Sequence, residues 1–310
     1  MKRERLLAVL RAMKRVVVAF SGGIDSTVVA KAAHLALGEN AIAVTADSAS
    51  VPRAEIEEAR SLAARIGIQH RVMPTSEFAN PDYVKNDGSR CYYCKDELYT
   101  QIEAILPTLA AEFPLTPSPS PPEGRGEESS PLTPSPSPPE GRGESLVVVS
   151  GANLDDRGDY RPGLIAASEH KVRHPLQEAG FTKADVRALA KLWDLPTWDK
   201  PASPCLSSRL APGVAVTPER TGRVEAAEAY LKQLGFREFR VRLHEGELAR
   251  VEVPPDGLAK LADPAVGIEL VKYLKGLGFR YVTLDLEGFR SGSLNEMIPL
   301  ELRIRNQQTA

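Results

Sequence analysis

Cysteine is scarce in this sequence, because only Cys91, Cys94 and Cys205 occur among 310 residues. A small, odd number of cysteines argues against a disulfide scaffold and is typical of a reducing compartment. Long hydrophobic runs are lacking too, since no stretch approaches the roughly 18 apolar residues of a membrane span. The N-terminal MKRERLLAVLRAMKR also has no apolar core or cleavage site of a signal peptide. We therefore expect a soluble, cytoplasmic protein.

A charge excess of either sign is lacking as well. The 39 Lys and Arg residues are balanced by 41 Asp and Glu residues, for a formal net charge of −2. No overall basic field attracts nucleic acid, so we expect no nucleic-acid partner. What the chain does have is 42% hydrophobic residues. At this length they suffice for a substantial core, which we expect to be divided between two domains.

One segment stands apart from the rest in composition. PLTPSPSPPEGRGE occurs twice, at 114–127 and at 131–144, and offers almost nothing to bury. We predict that 114–144 is a disordered or polyproline-like insertion in a surface loop. Its perfect duplication is typical of a tolerated inserted element, and a ligand for a proline-recognising partner is the alternative.

On both sides of this insertion the pattern is that of an α/β protein. Short apolar runs predict buried parallel strands, and helical stretches lie between them. The alternation predicts right-handed βαβ units around a parallel sheet. The predicted strands are 15–20, 41–46, 70–74 and 146–151, and the predicted helices are 26–37, 53–66, 92–106 and 182–193.

The pattern of helices and strands that the sequence predicts changes from about residue 217. A helix beginning at TPERTGRVEAAEAYLKQLGF precedes two alternating runs, EFRVRLH and LARVEVP, which EGE separates. This predicts a β-hairpin, and FRYVTLDLE predicts a third strand. We expect a larger N-terminal domain at 1–210, which contains the parallel sheet, an α+β domain at 211–300 and a tail at 301–310.

SGGIDS, at residues 21–26, follows the apolar run VVVAF. Gly22 and Gly23 permit positive φ angles and close approach of the backbone to a ligand. The helix that follows offers free N–H groups and the positive end of its dipole, so the loop is suited to phosphate. Asp25 either caps this helix or helps to hold Mg²⁺. The alternative is a simple turn, and the lack of a lysine separates the loop from a Walker A motif.

In this context SGGIDS resembles the PP-loop of the ATP pyrophosphatase superfamily, whose members cleave ATP between its α and β phosphates. The resemblance implies an adenine nucleotide alpha hydrolase-like fold. It also implies that Ala46, in AVTADS at the end of the second strand, lies near the adenine and ribose. The pyrophosphate-binding residues that it implies are Ser21, Gly22, Gly23, Asp25 and Ser26, with Mg²⁺ as a cofactor.

The cysteines admit four interpretations. RCYYCK places Cys91 and Cys94 at metal-ligand spacing, while Cys205 stands alone in PASPCLSSRL. A zinc site needs a fourth ligand, a redox pair needs a thioredoxin-like context, and three unconnected buried cysteines need neither. The remaining interpretation is a 4Fe-4S cluster on all three, with one iron left open. The histidines available to zinc, none at metal-binding spacing, are His70, His170, His174 and His244.

The sequence around Cys205 carries a more specific resemblance. WDKPASPCLSSRLAPG, SGANLDDRGDYRPG and RHPLQEAGFTKADVRALAKLWDLPTWDKPA resemble the LarE-type sulfur transferases, from about residue 5 to about 297. The resemblance implies that ATP adenylylates a carboxylate of pyridinium-3,5-biscarboxylic acid mononucleotide and that sulfur then displaces AMP. It also implies a homo-oligomer and partner enzymes in nickel-pincer nucleotide cofactor synthesis.

Two sulfur sources are known within that family. One branch has only the cysteine matching Cys205 and sacrifices its sulfur, which leaves dehydroalanine. The other carries three cysteines and holds a 4Fe-4S cluster that delivers bound hydrosulfide. Because this chain has Cys91 and Cys94 as well, the resemblance favours the cluster branch, with the sacrificial route as the alternative.

Further candidates lie on both sides of the predicted hairpin. Arg240 and Arg242 alternate, so they share one strand face, and arginine suits both phosphate and carboxylate. The resemblance also places substrate-binding arginines on this strand, while a solvated face is the alternative. Arg209 follows Cys205 closely enough to reach the same site. Glu228 is a weaker site candidate, and the alternative is that it lies on a solvated helix face.

Asp155 and Asp156 follow an apolar strand, where parallel α/β folds place ligand groups. One of them could assist Mg²⁺, and a turn-forming pair is the alternative.

Three other functions compete with sulfur transfer to a mononucleotide. A tRNA thiolase of the same superfamily would need an RNA-binding surface, and the chain has no basic run or zinc ribbon. An amide-forming ligase of the NAD or GMP synthetase type would give no reason for the cysteines. A nucleotide-binding module without activity would bind ATP and release no pyrophosphate.

Overall fold

The computed structural model describes residues 2–112, 146–157, 162–201, 203–290 and Leu294. The predicted insertion at 114–144 and the predicted tail at 301–310 lie outside these residues. Within the described residues, no helix is long and apolar enough to cross a membrane.

Helices and strands alternate through the first two thirds of the chain, as predicted. The helices are α1 Lys2–Met13, α2 Ile24–Leu37, α3 Arg53–Ile66, α4 Pro81–Val84, α5 Arg90–Glu112, α6 Pro162–Glu169, α7 Pro175–Glu178, α8 Lys183–Leu192, α9 Pro218–Gln233, α10 Leu258–Ala262 and α11 Pro264–Gly276. The strands are β1 Val16–Ala19, β2 Ala41–Asp47, β3 Gln69–Pro74, β4 Val147–Val149, β5 Arg240–His244, β6 Leu248–Glu252 and β7 Tyr281–Leu284.

The first sheet has the order β3-β2-β1-β4, and all its neighbouring strands run parallel. Its central strand β1 carries Val16, Val17 and Val18 as a continuous buried run, because helices cover both faces of the sheet. Residues of α1, α2, α3 and α8 pack on one face and residues of α5 on the other. The predicted α/β class with a parallel sheet is confirmed.

The second sheet has the order β5-β6-β7. β5 and β6 form the predicted antiparallel hairpin, whereas β7 pairs with β6 in parallel after α10 and α11. The core beneath this sheet also contains Tyr83 and Leu206, which come from the N-terminal part of the chain. The two parts therefore share a core at this point, and a domain boundary at 210 stays a prediction.

Candidate functional site

The SGGIDS loop connects β1 to α2 at the carboxyl end of the parallel sheet. Gly22 uses the freedom of glycine and has a φ angle of +70°, whereas Gly23 has −73° because it is the extended N-cap of α2. Inside the loop, Ser26 Oγ donates to the Gly23 carbonyl at 3.0 Å and accepts from the Ser21 amide at 3.3 Å. These bonds hold the loop in a curve around the helix terminus.

Asp25 does not cap α2, contrary to one of the two predicted roles. The cap is Gly23, without a side-chain hydrogen bond. Instead, Asp25 accepts from Lys183 Nζ at 2.5 Å and from Asn153 Nδ2 at 3.1 Å. Lys183 is the first residue of α8, far along the sequence, so its ammonium supplies the cation that the loop itself lacks. Neither Lys183 nor Asn153 was expected at this site.

The loop after β4 lies directly against the phosphate loop. A Cβ atom on Gly151 would lie 2.7 Å from the Ser26 amide nitrogen, so only glycine allows this approach. Asn153 and Asp156 form a reciprocal capping box, and Asp155 accepts from the Lys183 amide at 2.8 Å. Asp156 therefore forms the turn, whereas Asp155 contacts the first residue of α8; a role of either aspartate in binding Mg²⁺ stays a prediction.

The end of β2 connects the nucleotide side of the sheet to the cysteines. Ala46 lies there, partly buried against the core that contains α5, and its contact with adenine stays a prediction. Just beyond, the hydroxyls of Ser48 and Ser50 both donate to Oε1 of Glu77, at 2.5 and 3.1 Å. The other Glu77 oxygen, Oε2, is buried without a hydrogen-bond partner.

The three cysteines come together from two distant segments. Cys91 and Cys94 occupy the first turn of α5, and Cys205 precedes the 3-10 helix Leu206–Arg209. The Leu206 amide donates to the Ser50 carbonyl at 2.7 Å, so the Cys205 segment is joined to the end of β2.

Two further bonds join this segment to α4 and to the start of α5. Tyr83 Oη lies 2.7 Å from Ser207 Oγ, and Arg90 Nη1 donates to the Ser207 carbonyl at 2.7 Å. Asn86, with a φ angle of +56°, accepts from Arg90 and donates to carbonyls of the chain that follows Arg209. The Cys205 segment is therefore held on both sides.

The thiols and their neighbours are electrostatically coupled. Burial is the main cause that raises the pKa of Cys94 to about 12, with smaller contributions from Cys205, Glu77 and Cys91 and an opposing one from Lys95. Burial alone would lower the pKa of Arg90, but the negative charge that Cys205 and Cys91 can carry raises it. The site thus combines three thiols with two cations.

Among the described residues, no group of histidine, cysteine, aspartate and glutamate side chains is arranged to hold a metal ion. His70, His170 and His174 instead bond to Thr45, to Asp96 and Glu103, and to Ser150. A single zinc ion, which gathers all its ligands around one atom, is therefore not supported. In a four-iron cluster each thiolate binds its own iron, so three neighbouring thiols beside two cations fit that group.

Arg209 and Glu228 form a buried ion pair beside Cys205. The guanidinium binds both carboxylate oxygens, at 3.1 and 3.2 Å, and also donates to the Cys205 carbonyl at 3.0 Å. Arg242 pairs in the same bidentate way with the fully buried Glu252. Arg209 is 2% exposed and Arg242 5%, so neither lies on a solvated face.

Arg240 completes this group of arginines. Burial and the neighbouring charge of Arg209 lower its pKa, and its guanidinium lies 5.1 Å from the centre of the Phe289 ring. The structure therefore brings the four predicted residues Arg209, Glu228, Arg240 and Arg242 together next to Cys205. Substrate contacts of these residues stay predictions.

Helix α3 touches both parts of the site. A Cβ atom on Gly22 would lie 3.3 Å from Ala59 Cβ, so the phosphate loop rests on the middle of α3. One turn earlier, Glu55 accepts from Ser203 Oγ at 2.7 Å and pairs with Lys200 at 2.9 Å. The segment that leads to Cys205 is thus fixed to the same helix as the phosphate loop.

Comparisons with known proteins agree with this arrangement. A family model described as NAD synthase matches residues 7–83, which include the phosphate loop. A protein of Synechocystis sp., described only as uncharacterized, is 40% identical over 297 residues, which cover 96% of this chain and 98% of that protein.

A second relative has a described activity. Pyridinium-3,5-bisthiocarboxylic acid mononucleotide synthase of Lactiplantibacillus plantarum is 38% identical over 300 residues, which cover 96% of this chain and 95% of that enzyme. An identity of this level over nearly the whole of both chains includes the phosphate loop and the Cys205 segment alike. The chain therefore belongs to the LarE-like family of ATP-dependent PP-loop enzymes.

Proposed function

We propose that this enzyme adenylylates the carboxylates of pyridinium-3,5-biscarboxylic acid mononucleotide and converts them to thiocarboxylates. The observation that carries the proposal is the likeness to the Lactiplantibacillus plantarum synthase over 96% of the chain. The fixed connection between the phosphate loop and the Cys205 segment supports it, because adenylylation and sulfur transfer must occur on one bound substrate. An amide-forming ligase would leave the three clustered cysteines without a role.

In the first step a substrate carboxylate oxygen attacks the α-phosphorus of ATP, and pyrophosphate leaves. The amides and hydroxyls of Ser21, Gly22, Gly23 and Ser26 bind the pyrophosphate at the start of α2. Lys183 adds a positive charge, and Asp25 holds this lysine and can bind Mg²⁺ beside the phosphates. The product is an acyl adenylate, which is a far better electrophile than the free carboxylate.

The arginines beside Cys205 suit the substrate, which carries both carboxylates and a phosphate. Arg240 lies beside Arg209 and over the Phe289 ring, and we propose that its guanidinium binds the substrate directly. Arg209 and Arg242 are held by Glu228 and Glu252 and present their remaining donors toward residues 204–208.

Sulfur then displaces AMP from the acyl carbon. If hydrosulfide attacks, the new C–S bond forms as the C–O bond to AMP breaks, and the thiocarboxylic acid loses its proton to solvent. If the Cys205 thiolate attacks instead, a thioester forms. Loss of the Cα proton and cleavage of the Cβ–Sγ bond then release the thiocarboxylate and leave dehydroalanine.

We propose the first of these routes, with Cys91, Cys94 and Cys205 as the three ligands of a 4Fe-4S cluster. Such a cluster supplies one iron without a cysteine ligand, to which hydrosulfide can bind. The cysteines would hold it between the start of α5 and the Cys205 segment, where Arg90 lies close to the negative charge. We further expect a cytoplasmic homo-oligomer and partner enzymes that consume the thiocarboxylate product.

The test is a turnover experiment on anaerobically reconstituted protein with ATP, Mg²⁺, sulfide and the biscarboxylic mononucleotide. We expect pyrophosphate release that depends on the mononucleotide, together with a thiocarboxylate product identified by mass spectrometry. Release of pyrophosphate without that substrate, or no release at all, would contradict the proposed activity. Mass spectrometry of the protein after one turnover then separates the routes, because sacrifice removes H₂S from Cys205 and hydrosulfide delivery leaves the mass unchanged.

A further inference from the structure

The second sheet has an apolar face toward its core and a polar face toward the Cys205 segment. Because side chains alternate along a strand, Val241 and Leu243 of β5 lie on the apolar face, in the core. On the polar face, the Arg242 guanidinium donates to the Ser208 carbonyl at 3.2 Å, so this face borders the segment after Cys205. The charged and titratable residues of the polar face are Arg240, Arg242 and His244 of β5 and Arg250 and Glu252 of β6.

The chain that follows β7 forms a turn at the end of β6. The carboxylate of Asp285 lies 3.5 Å from Nε of Arg250, and the Phe289 amide donates to the Val253 carbonyl at 2.9 Å. Between these two points Gly288 has a φ angle of +76°, and a Cβ atom there would lie 2.9 Å from the same carbonyl oxygen. Only glycine allows this approach, so the turn fixes the backbone of Phe289 beside β6.

The ring of Phe289 packs outside the core beneath the second sheet. Within the described residues, that core includes the rings of Phe236, Phe239 and Phe279 and excludes that of Phe289. The Phe289 ring lies beneath the Arg240 guanidinium instead, with 5.1 Å between the ring centre and Cζ. A cation at this distance over the face of an aromatic ring is attracted by its π electrons. The ring thus supports the arginine rather than the core.

A ring supports a guanidinium differently from a carboxylate. Glu228 and Glu252 hold Arg209 and Arg242 through two hydrogen bonds each, and a carboxylate cancels the charge that it holds. An aromatic ring orients a guanidinium and leaves its net charge unchanged. Burial and the positive charge of Arg209 lower the pKa of Arg240, so an anion bound beside Arg240 would stabilise its charged form.

The arginines of the site serve different ends of it. Arg209 and Arg242 donate to carbonyls of residues 204–208, next to the place where the reacting carboxylate of the proposed substrate must lie. Arg240 donates to the carbonyl of Phe239, one residue before β5, at 2.6 Å. In the mononucleotide the ribose separates the phosphate from the pyridinium ring, so the phosphate lies away from the reacting carboxylate. Arg240 is therefore the arginine placed for the phosphate.

We propose that Phe289 is a positioning residue that directs Arg240 to the phosphate of the mononucleotide. The inference rests on the proposed function, because that phosphate belongs to the proposed substrate. The turn at 285–289 sets the position of the ring, the ring orients the guanidinium, and the guanidinium binds the phosphate through its N–H groups. Phe289 itself does not touch the substrate and acts through Arg240.

The first experiment measures the dissociation constant of the biscarboxylic mononucleotide by calorimetry on the full chain, without ATP or sulfide. We expect Phe289→Leu to raise this constant about fivefold, as the loss of one cation–π contact predicts, and to leave the constant for ATP unchanged. Phe289→Tyr retains a ring and should restore the wild-type affinity. Phe289→Met is the second variant without a ring if Phe289→Leu folds poorly. Wild-type affinity in both variants without a ring would overturn the inference.

Phe236→Leu is the matched control for the loss of a ring. The Phe236 ring also lies 5.1 Å from a cation, Nζ of Lys260, but this cation belongs to α10. Because Phe236 packs against the core, this variant should lower the free energy of unfolding, yet leave the affinity for the mononucleotide unchanged. An equal loss of affinity in Phe236→Leu and Phe289→Leu would show an effect of stability alone and contradict the positioning role.

Two comparisons show through which groups Phe289 acts. In an Arg240→Met background, adding Phe289→Leu should raise the dissociation constant no further, because the ring then has no guanidinium to hold. With the biscarboxylic nucleoside, which lacks the phosphate, Phe289→Leu and the wild-type protein should bind equally. A fivefold rise in either comparison would contradict an action through Arg240 on the phosphate.

The last measurement needs no substrate. In nuclear magnetic resonance spectra of the full chain, the ring current of Phe289 should shift the Nε–H resonance of Arg240. Phe289→Leu should remove this shift and Phe289→Tyr should retain it, so equal resonances in Phe289→Leu and the wild-type protein would refute the contact. If the wild-type protein does not bind the mononucleotide, the proposed function fails, and the resonance still decides whether Phe289 holds Arg240.

Discussion

The phosphate loop and the cysteine site lie at the same end of one sheet but are built in opposite ways. The phosphate loop is six consecutive residues, and the groups that we propose bind phosphate there are largely backbone amides at the start of α2. The cysteine site consists of side chains from α5 and from the segment before Arg209, joined through Ser50 and Ser207. A backbone site can therefore be found in a short motif, whereas a side-chain site depends on how distant segments pack.

The two regions also balance charge differently. In the phosphate loop Asp25 and Lys183 form an ion pair with each other. At the cysteines, Lys95 and Arg90 lie near thiols, whose negative charge after loss of a proton raises the pKa of both cations. One region thus balances its charge within one pair of side chains, and the other through thiols that can ionise.

The variant Cys205→Ala should separate thiocarboxylate formation from pyrophosphate release most clearly. We expect thiocarboxylate formation to fall to the level without enzyme, because both sulfur routes require this residue. Pyrophosphate release should remain, since α3 and the end of β2 lie between the phosphate loop and the Cys205 segment. Product mass spectrometry and a pyrophosphate assay on the same sample measure both. Equal loss of both activities would show that the regions are not separable.

Lys183→Ala should have the converse effect. Removing the cation beside Asp25 should slow pyrophosphate release about 10²-fold or more, as loss of one preorganised electrostatic group does in other enzymes. Lys191→Ala, near the other end of α8, is the control and should leave the rate unchanged, because Lys191 lies over the Trp198 ring. Iron binding by Lys183→Ala should match the wild-type protein, and a loss of iron would contradict the separation.

Gly151→Ala tests how closely the second loop must approach the phosphate loop. The added methyl would lie 2.7 Å from the Ser26 amide nitrogen, so the loops must move apart, at a cost of about 1–3 kcal/mol in the free energy of unfolding. Gly222→Ala is the control with the opposite sign, because its methyl meets nothing within 4 Å in the middle of α9 and alanine is favoured there by about 0.5–1 kcal/mol. Urea unfolding compares each variant with the wild-type protein. A Gly151→Ala variant as stable as the wild-type protein would mean that the approach is not constrained.

The smallest expected effect is that of Tyr83→Phe, which removes one hydrogen bond between α4 and the segment that follows Cys205. Losing the hydrogen bond to Ser207 should lower the free energy of unfolding by about 1 kcal/mol. Sulfur transfer should fall more than pyrophosphate release. Tyr281→Phe, at a tyrosine that is 65% exposed, should change neither quantity. A larger effect on pyrophosphate release than on sulfur transfer would show that Tyr83 supports the phosphate loop rather than the cysteine site.

The sequence predicts the parallel sheet well because buried strands and glycine-containing loops are local patterns. It fails where a contact joins distant residues. Lys183 reaches Asp25 only because α8 packs beside α2, and no local sequence pattern predicts that pairing. The same limit applies to Lys95, whose path depends on a glycine in α6. The motif also does not tell which of its two glycines takes a positive φ angle, since Gly23 becomes the extended N-cap of α2.

Helix α3 sets a length scale for the whole reaction. The phosphate loop rests on Ala59 and the approach to Cys205 is tied to Glu55, which is one helical turn, about 6 Å along the axis. The helix thus fixes the distance between the loop that we propose binds ATP and the segment that carries Cys205. An insertion of a few residues between Glu55 and Ala59 would leave both ends intact and put them out of reach of each other.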